Sequence, residues 1–395
     1  MSTPTFPSPS LDPSAQPRVR WTETGVPHEA RWRSEAAVAP PGRVQAVDDA
    51  LTADAAHRLA SEGTALLWRG DFHNARQLLQ ALDRRVVRGP RRRKAAPALS
   101  SPADAFHRHR AAQGARARLL GRLLVPLDGG YAIPLRRAPD VREACTEAWG
   151  PPDGQPSLVA LRELLGLVGA HEWRRKGVEI AALGGERIHP HYGVFSPVRG
   201  EYLDLVARTP LPPAVVKGTA VDIGTGTGVL AALLARRGVA KVVATALDPR
   251  ALACAAGNVQ RLGLGGQVEL LQADLFPPGR AALVVCNPPW LPARPAAPVE
   301  RAVYDEGSRM LRGFLAGLAG HLEPQGEGWL IVSDLAEHLG LRSRDELLGW
   351  FDAAGLQVLG REDIRPRHAK AADATDPLHA ARSREVTSLW RLGAR

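Results

Sequence analysis

The sequence has few of the residues that mark secreted, metal-bound or membrane proteins. Its 395 residues include only three cysteines, Cys145, Cys254 and Cys286, with no Cys-x-x-Cys pair. A disulfide framework and a structural zinc site are therefore not indicated. No stretch approaches the roughly 18 consecutive apolar residues that a membrane-spanning helix needs, and residues 1–20 lack the apolar core of a signal peptide. We expect a cytoplasmic protein with no metal site and no membrane partner.

Lysine is also scarce, with five lysines against 46 arginines, and the formal net charge of +10 is unevenly distributed. Residues 81–137 carry fourteen lysine and arginine residues against three aspartates, a net charge of +11. A compositional preference for arginine explains the residue type but not the clustering. Such a cluster is typical of a surface that contacts nucleic-acid phosphates, with a solvated basic face as the alternative. The contacts would come from Arg84, Arg85, Arg88, Arg91, Arg92, Arg93 and Lys94.

Composition and periodicity divide the chain into four parts. Residues 1–45 are rich in Pro, Ser and charge, and are expected to form a mobile tail. Residues 46–150 show apolar residues at helical spacing and are expected to form a small basic domain, α/β or mainly helical. Residues 151–177 combine a linker rich in Pro and Gly with an amphipathic helix. Residues 178–395 form the remaining domain.

This last part alternates short β-rich runs with helical runs. A hairpin turning at Gly184–Gly185 is followed by strands that end in "VDIG", "TALD", "LQAD" and "VVCN", with helical runs between them. The alternation predicts a doubly wound sheet of mainly parallel strands. The carboxyl ends of such strands lie at one edge, where ligands of open α/β sheets bind.

The first of these strands runs directly into a glycine-rich loop and then a helix, in "VDIGTGTGVLAALLARRG". Gly224, Gly226 and Gly228 allow positive φ angles and a close approach of the backbone to a ligand. Alone, the loop could hold the pyrophosphate of a dinucleotide or simply make a tight turn. Asp222 at the strand end would repel pyrophosphate. It suits a ligand with cationic groups, such as S-adenosylmethionine (SAM), which carries an ammonium and a sulfonium.

Acidic residues also close the next two strands. Asp248 could accept both hydroxyls of a ribose, and Asp274 could accept from an adenine amine. Each aspartate alone is more readily explained as a helix cap, since Asp248 directly precedes Pro249. Three acids and a glycine loop at successive strand ends are harder to explain without a ligand, and they favour SAM.

The fourth strand ends in "VVCNPPWLP". Pro288 and Pro289 end it because proline cannot donate to a sheet ladder. The Asn287 side-chain oxygen and the Pro288 carbonyl could accept both N–H groups of a planar nitrogen and aim its lone pair at a methyl group. Trp290 would stack on the flat acceptor. Cys286 is interpreted as an apolar strand residue that faces the core.

These motifs resemble those of class I SAM-dependent methyltransferases, in the N-methylating branch marked by (Asn/Asp)-Pro-Pro-(Tyr/Phe/Trp). The resemblance covers roughly residues 178–340. It implies a Rossmann-like seven-stranded α/β sheet with an additional N-terminal domain, and SAM as cofactor. The catalytic residues it implies are Asn287, Pro288, Pro289 and Trp290. The cofactor-binding residues it implies are Asp222, Gly224, Thr225, Gly226, Gly228, Asp248, Asp274, Leu275 and Asn287.

Two groups within that branch are similar to the chain. HemK-type enzymes, which methylate glutamine in release factors, have a hairpin and an Arg-Pro segment before the first strand, and "HPHYGVFSPVRGEYLDLV" is similar without the full motif. The rRNA guanine-N2 methyltransferases carry an additional N-terminal domain and usually Phe in place of Trp290. The basic N-terminal part favours an exocyclic base amine in RNA as the acceptor, with N5-methylation of a protein glutamine as the alternative.

Two other classes of protein are alternatives. A nicotinamide-dependent oxidoreductase could use the glycine loop, but the loop reads G-x-G-x-G rather than G-x-G-x-x-G, and hydride transfer has no need of Asn-Pro-Pro-Trp. A non-catalytic RNA-binding protein would not need Asp222, Asn287 and Trp290, which are all present. The sequence makes no prediction of the oligomeric state.

Overall fold

The computed structural model describes residues 17–88, 101–198, 200–216, 218–295, 298–367 and 373–395. These residues divide into two compact units. The N-terminal unit contains the described residues of 17–88 and 107–172. The C-terminal unit contains those of 101–106 and 173–395. In the part of the chain that the structure describes, no helix is both long and apolar enough to cross a bilayer.

The N-terminal unit is built on a six-stranded mixed sheet. Its strands are β1 Arg18–Glu23, β2 Val26–Arg33, β3 Val44–Val47, β4 Ala65–Trp68, β5 Leu123–Leu127 and β6 Ser157–Ala160. Their order in the sheet is β1-β2-β6-β5-β4-β3, with β1–β2 and β5–β6 antiparallel and the other pairs parallel. The helices are α1 Ala53–Ser61, α2 Phe72–Arg88, α3 Pro102–Leu120, α4 Arg142–Trp149 and α5 Leu161–Lys176. The first turn of α3 and the last turn of α5 belong to the C-terminal unit.

The observed elements differ from the expected boundaries at two places. A mobile tail is expected up to residue 45, yet β1 and β2 pair as an antiparallel hairpin. Val19, Ala30 and Trp32 of this hairpin are buried in the core of the sheet, so a few apolar side chains outweigh the polar composition around them. The second difference is β6, where a linker followed by helix is expected. All four of its residues are buried, and this enclosure on both faces favours a strand.

The C-terminal unit contains the remaining elements. Its strands are β7 Val178–Glu179, β8 Arg187–Ile188, β9 Thr219–Ile223, β10 Lys241–Ala246, β11 Val268–Gln272, β12 Ala281–Cys286, β13 Leu322–Ser333, β14 Leu356–Ile364 and β15 Thr387–Ala394. Its helices are α6 Glu201–Arg208, α7 Val229–Arg236, α8 Pro249–Arg261, α9 Arg309–His321, α10 Leu335–His338, α11 Arg344–Ala353 and α12 His379–Arg382. The short strands β7 and β8 form the expected hairpin, with Gly184 and Gly185 at φ 69° and 86°.

Seven of these strands form one sheet in the order β11-β10-β9-β12-β13-β15-β14. All neighbouring pairs are parallel except those of β15, which is antiparallel to both β13 and β14. The central strand β12 is buried along its whole length, because apolar clusters cover both faces of the sheet. The expected seven-stranded, doubly wound α/β sheet is confirmed.

The register of the central strands positions the candidate site. Strand β12 pairs with β9 so that Val285 lies opposite Asp222 and Cys286 lies opposite Ile223. The chain therefore leaves β9 into the glycine loop, and leaves β12 into Asn287, at the same level of neighbouring strands. Two motifs that are more than sixty residues apart in sequence start side by side at the carboxyl edge of the sheet.

Candidate active site

The glycine loop has the backbone geometry that its sequence predicts. Gly224, Gly226 and Gly228 have φ angles of 71°, 55° and 80°, in the region that L side chains rarely adopt. A Cβ on Gly224 would overlap Cε of Met310. The Thr225 N–H donates to the carbonyl of Thr245 over 2.9 Å, which ties the loop to β10. The loop thus presents bare backbone at the edge of the sheet, which is the feature a ligand cradle requires.

Asp222 is a fully buried carboxylate with one unused oxygen. Its Oδ2 accepts hydrogen bonds from the Thr225 hydroxyl over 2.6 Å and from the Ala231 N–H over 3.1 Å. Its Oδ1 has no hydrogen-bond partner among the described residues. Burial raises the pKa of Asp222 to about 6, and the two hydrogen bonds oppose that shift. A cationic donor at Oδ1 would satisfy the oxygen and stabilise the ionised form. The ammonium group of SAM fits this requirement.

The two other acidic residues are exposed and already have partners. Asp248 follows β10 and caps α8, with its Oδ1 accepting from the Arg250 N–H over 2.9 Å. Asp274 follows β11, and its Oδ2 pairs with Nη2 of Arg309 over 2.5 Å. A carboxylate has about four acceptor sites, so neither partner uses up the capacity of its aspartate. The cap explanation of Asp248 and its ribose-binding role are therefore compatible.

Leu275 adopts a backbone conformation that its residue type does not predict. Its φ angle is 76°, which is unusual for a bulky L residue. Its carbonyl accepts a hydrogen bond from the Thr245 hydroxyl over 2.6 Å, and this bond helps to hold the conformation. Strained residues of this kind cluster at ligand sites. The family resemblance implies that Leu275 lies at the cofactor site, and that role stays a prediction.

The Asn-Pro-Pro-Trp segment follows β12 with its asparagine and tryptophan in direct contact. The indole Nε1–H of Trp290 donates to Asn287 Oδ1 over 3.0 Å. Trp290 is partly buried and packs against the apolar clusters of both faces of the sheet. Pro288 is buried and Pro289 is partly buried. The Asn287 oxygen retains one acceptor position, since an amide oxygen has two lone pairs.

Cys286, the last residue of β12, is fully buried. Burial raises the pKa of its thiol well above the ordinary value. The interpretation of Cys286 as a core residue is confirmed. In the part of the chain that the structure describes, no group of three or more His, Cys, Asp or Glu residues could hold a metal ion.

Sequence reasoning missed Asp305, which organises the segment after Trp290. The Asp305 N–H donates to the carbonyl of Leu291 over 2.9 Å. Its carboxylate Oδ2 accepts from the N–H groups of Met310 and Leu311 over 2.8 Å and 3.3 Å, at the start of α9. Asp305 therefore fixes the backbone of Met310. The side chain of Met310 lies against Gly224 of the glycine loop. An Asp a few residues before a helical run, in "YDEGSRML", was the available signal.

Asn258 was also missed, and it links two segments around the glycine loop. This residue of α8 is 1% exposed. Its Oδ1 accepts from the His189 N–H over 2.8 Å, and its Nδ2 donates to the Thr227 carbonyl over 3.0 Å. One side chain therefore bonds both the segment that precedes β9 and the glycine loop that follows it. A polar residue on the apolar face of a predicted helix was the signal in the sequence.

Only part of the predicted phosphate-contacting group lies in the described residues. Arg84 of α2 is exposed, and Arg85 pairs with Asp54 through its Nε over 2.9 Å. Arg88 is the last residue of α2. Outside the described residues lie Arg91, Arg92, Arg93 and Lys94.

Residues 186–344 match a family model described as Methyltransferase small domain. A ribosomal protein L11 methyltransferase of Pelotomaculum thermopropionicum is 50% identical over 72 residues, which are 18% of this chain and 23% of that protein. A release factor glutamine methyltransferase of Cereibacter sphaeroides is 34% identical over 170 residues, covering 39% of this chain and 59% of that protein. A release factor glutamine methyltransferase of Moorella thermoacetica is 36% identical over 152 residues, covering 33% and 54%. The chain thus spans less than two thirds of each of these relatives.

The family model and these relatives are all described as methyltransferases. The seven-stranded sheet is also the one that the resemblance implied. The expected methyltransferase class is confirmed for the matched region, residues 186–344.

Proposed function

We propose that the chain transfers a methyl group from SAM to the side-chain amide nitrogen of a glutamine in a protein. One observation carries this proposal. Asn287 leaves β12 at the level where Gly224 leaves β9, because Val285 pairs with Asp222. A hydrogen-bond acceptor for the N–H groups of an amide therefore lies beside the cradle for the methyl donor.

The residues of the chain have separate tasks in this reaction. When bound, SAM supplies a methyl group on a positively charged sulfur that leaves as a neutral thioether. Asp222 Oδ1 and the glycine loop would hold the cofactor. Asn287 Oδ1 and the Pro288 carbonyl accept the two N–H groups of the substrate amide, which localises the nitrogen lone pair and orients it. Neither oxygen is basic enough to take the proton that the nitrogen must lose, so that proton passes to water.

The names of the relatives support a protein acceptor over an RNA base. Two of the three relatives given above are release factor glutamine methyltransferases, and the third is a ribosomal protein L11 methyltransferase. An exocyclic amine of RNA requires the same hydrogen bonds from Asn287 and Pro288. The basic cluster in the sequence is what supports an RNA acceptor. Arg85, a described member of that cluster, is already paired with Asp54. We therefore propose the glutamine acceptor and test the RNA base against it.

Methyl transfer into a fractionated lysate distinguishes the two acceptors. The purified full-length chain and SAM with a labelled methyl group would be incubated with lysate from a strain that lacks this gene. We expect the label in material that is sensitive to protease and resistant to ribonuclease, and mass spectrometry of the digest should find N5-methylglutamine.

Asn287→Ala is the matched control for this experiment, because it removes the acceptor oxygen while leaving Asp222 and the glycine loop in place. It should bind SAM and transfer no label. Label in a ribonuclease-sensitive fraction, identified as a methylated base, would replace glutamine by RNA. No Asn287-dependent label in either fraction would contradict the proposed activity altogether.

A further inference from the structure

Arg342 is a buried arginine whose guanidinium has no partner. The residue is 3% exposed. None of its Nε, Nη1 and Nη2 atoms has a hydrogen-bond partner among the described residues. Burial lowers the pKa of this arginine. An unpaired buried charge lowers the free energy of unfolding. Arg342 therefore destabilises the fold unless an anion binds its guanidinium when the protein acts.

The charged side chains near Arg342 do not bond to its guanidinium group. Glu337 and Glu346 attract it and Arg344 repels it. Both carboxylate oxygens of Glu337 accept from Nε of Arg344, over 2.8 Å and 3.1 Å, and Glu346 is exposed. Outside the described residues the sequence contains a single acidic side chain, Asp12. Since no described carboxylate is bonded to Arg342, Asp12 is the one acidic side chain of the sequence whose contact with it the structure does not describe.

The backbone of Arg342 is bonded to α10, a helix that packs with the residue directly after Trp290. Arg342 lies between α10 and α11. The carbonyl of Ala336 accepts hydrogen bonds from the backbone N–H of Leu341 over 2.8 Å and from that of Arg342 over 3.4 Å. Ala336 belongs to an apolar cluster that also contains Leu291, the residue directly after Trp290. Helix α10 follows the carboxyl end of β13, the parallel neighbour of β12. One apolar cluster thus joins the residue that follows the Asn-Pro-Pro-Trp segment to the helix that bonds the backbone of Arg342.

We propose that Arg342 binds a carboxylate of the acceptor protein, so that the acceptor carries an acidic residue near the amide that is methylated. This inference rests on the proposed function. The planar guanidinium matches a carboxylate through two parallel N–H···O bonds. Because its nitrogen atoms are shielded from solvent in the free protein, the acceptor must displace part of the surrounding packing to reach them. An acceptor without the acidic residue would leave the guanidinium unpaired and would bind more weakly. Arg342 is therefore a specificity-determining residue.

Thermal unfolding of the full-length chain tests the site without any methyl transfer. The probes are sodium acetate, sodium phosphate and sodium chloride at equal ionic strength. In chloride, Arg342→Met should raise the unfolding midpoint by about 3 °C, because an apolar side chain of similar length removes the unpaired charge. Acetate should stabilise the wild type more than chloride does, and this difference should vanish in Arg342→Met.

Arg344→Met is the matched control, since Arg344 is the neighbouring arginine that has a partner. It should lower the unfolding midpoint and retain the difference between acetate and chloride. Arg342→Lys keeps the charge without the planar fork, and it should retain only part of that difference. A lower midpoint for Arg342→Met would show that Arg342 has a partner within the chain and would overturn the proposal. An equal response of wild type and Arg342→Met to acetate would also overturn it. A larger Arg342-dependent response to phosphate than to acetate would reassign the site to phosphate.

With an acceptor in hand, Arg342→Met should raise its KM about tenfold while kcat and SAM affinity stay unchanged. Replacing the acidic residue of the acceptor by its amide should produce the same loss, and combining both changes should add nothing further. Independent, additive losses would contradict the pairing. These results are separable from the proposed function. The anion response of the free chain requires no turnover, so its loss would overturn the carboxylate site alone, whereas an RNA acceptor would be revealed by the labelling test.

Discussion

The indole N–H of Trp290 donates a hydrogen bond to the side-chain oxygen of Asn287 over 3.0 Å. The tryptophan is therefore more than a flat surface for stacking. By occupying one lone pair of Oδ1, it fixes which way the Asn287 amide faces and leaves the second lone pair for a substrate N–H. A tyrosine or phenylalanine at this position has no N–H with which to make the same bond.

Replacing Asn287 by alanine should remove most turnover without changing the fold. The proposed role of Asn287 is confined to the acceptor nitrogen, so SAM affinity measured by calorimetry should stay within about twofold. Loss of one preorganised polar contact of this kind lowers kcat by about 10²-fold or more. Unchanged turnover in Asn287→Ala would show that the asparagine does not hold the acceptor.

Replacing Trp290 by phenylalanine tests the hydrogen bond separately from stacking. Phenylalanine keeps an aromatic face and loses the indole N–H. A neutral hydrogen bond is worth about 1 kcal/mol, which corresponds to roughly a fivefold drop in kcat. In the Asn287→Ala background the same replacement should have no further effect, because the bond is already absent. A full additional loss in that background would assign Trp290 a role independent of Asn287.

The sequence predicted the C-terminal fold well because its signals are local. The run "AALVVC" is apolar at every position, as expected for a central parallel strand covered on both faces. The glycines at 224, 226 and 228 stand where the backbone has positive φ. In both cases the residue type and the local structure have the same physical cause, so no knowledge of distant residues was needed.

Features set by tertiary contacts were not predicted. The pairing of Asp274 with Arg309 joins residues 35 positions apart, and the positive φ of Leu275 depends on a hydroxyl from another strand, that of Thr245. The hairpin of β1 and β2 escaped notice because only a few of its side chains are buried. The Trp290–Asn287 bond spans only three residues, but it depends on the side-chain rotamers of both residues, which residue types alone do not specify.

The three cysteines should be inert in the native protein. All three are buried. Burial raises the pKa of Cys145 to about 12 and that of Cys254 to about 11, and it raises that of Cys286 as well. Because only thiolates react with aromatic disulfide reagents, the native protein should release no chromophore at pH 8 and the unfolded protein should release three equivalents. Rapid reaction of one thiol before unfolding would show that one of these sites opens.

Asp222 predicts how the stability of the free protein depends on pH. Its pKa is about 6 in the folded state against an ordinary 3.8, so between these values the folded protein holds a proton that the unfolded chain has released. The stability that this proton contributes is complete below about pH 3.8 and is lost as the pH rises through 6. Asp222→Asn should therefore be more stable than the wild type at pH 7.5, by about 2–3 kcal/mol in denaturant titrations. An unchanged or lower stability would mean that the buried carboxylate is already compensated.

The same residue predicts the pH dependence of cofactor binding, with the opposite sign. An ammonium group at the free Oδ1 favours the ionised form of Asp222, so SAM binding must compete with the proton. SAM affinity should rise as the pH increases from 5 to 7, by up to about tenfold per pH unit below the pKa. Calorimetry on Asp222→Asn should find weaker binding that is flat over this range, while Asp248→Asn, at an exposed helix cap, should bind more weakly and keep the pH dependence. If the wild-type affinity were flat, or if Asp222→Asn retained the slope, the ammonium group would lie elsewhere, and the buried carboxylate would serve only to hold the Thr225 hydroxyl and the start of α7.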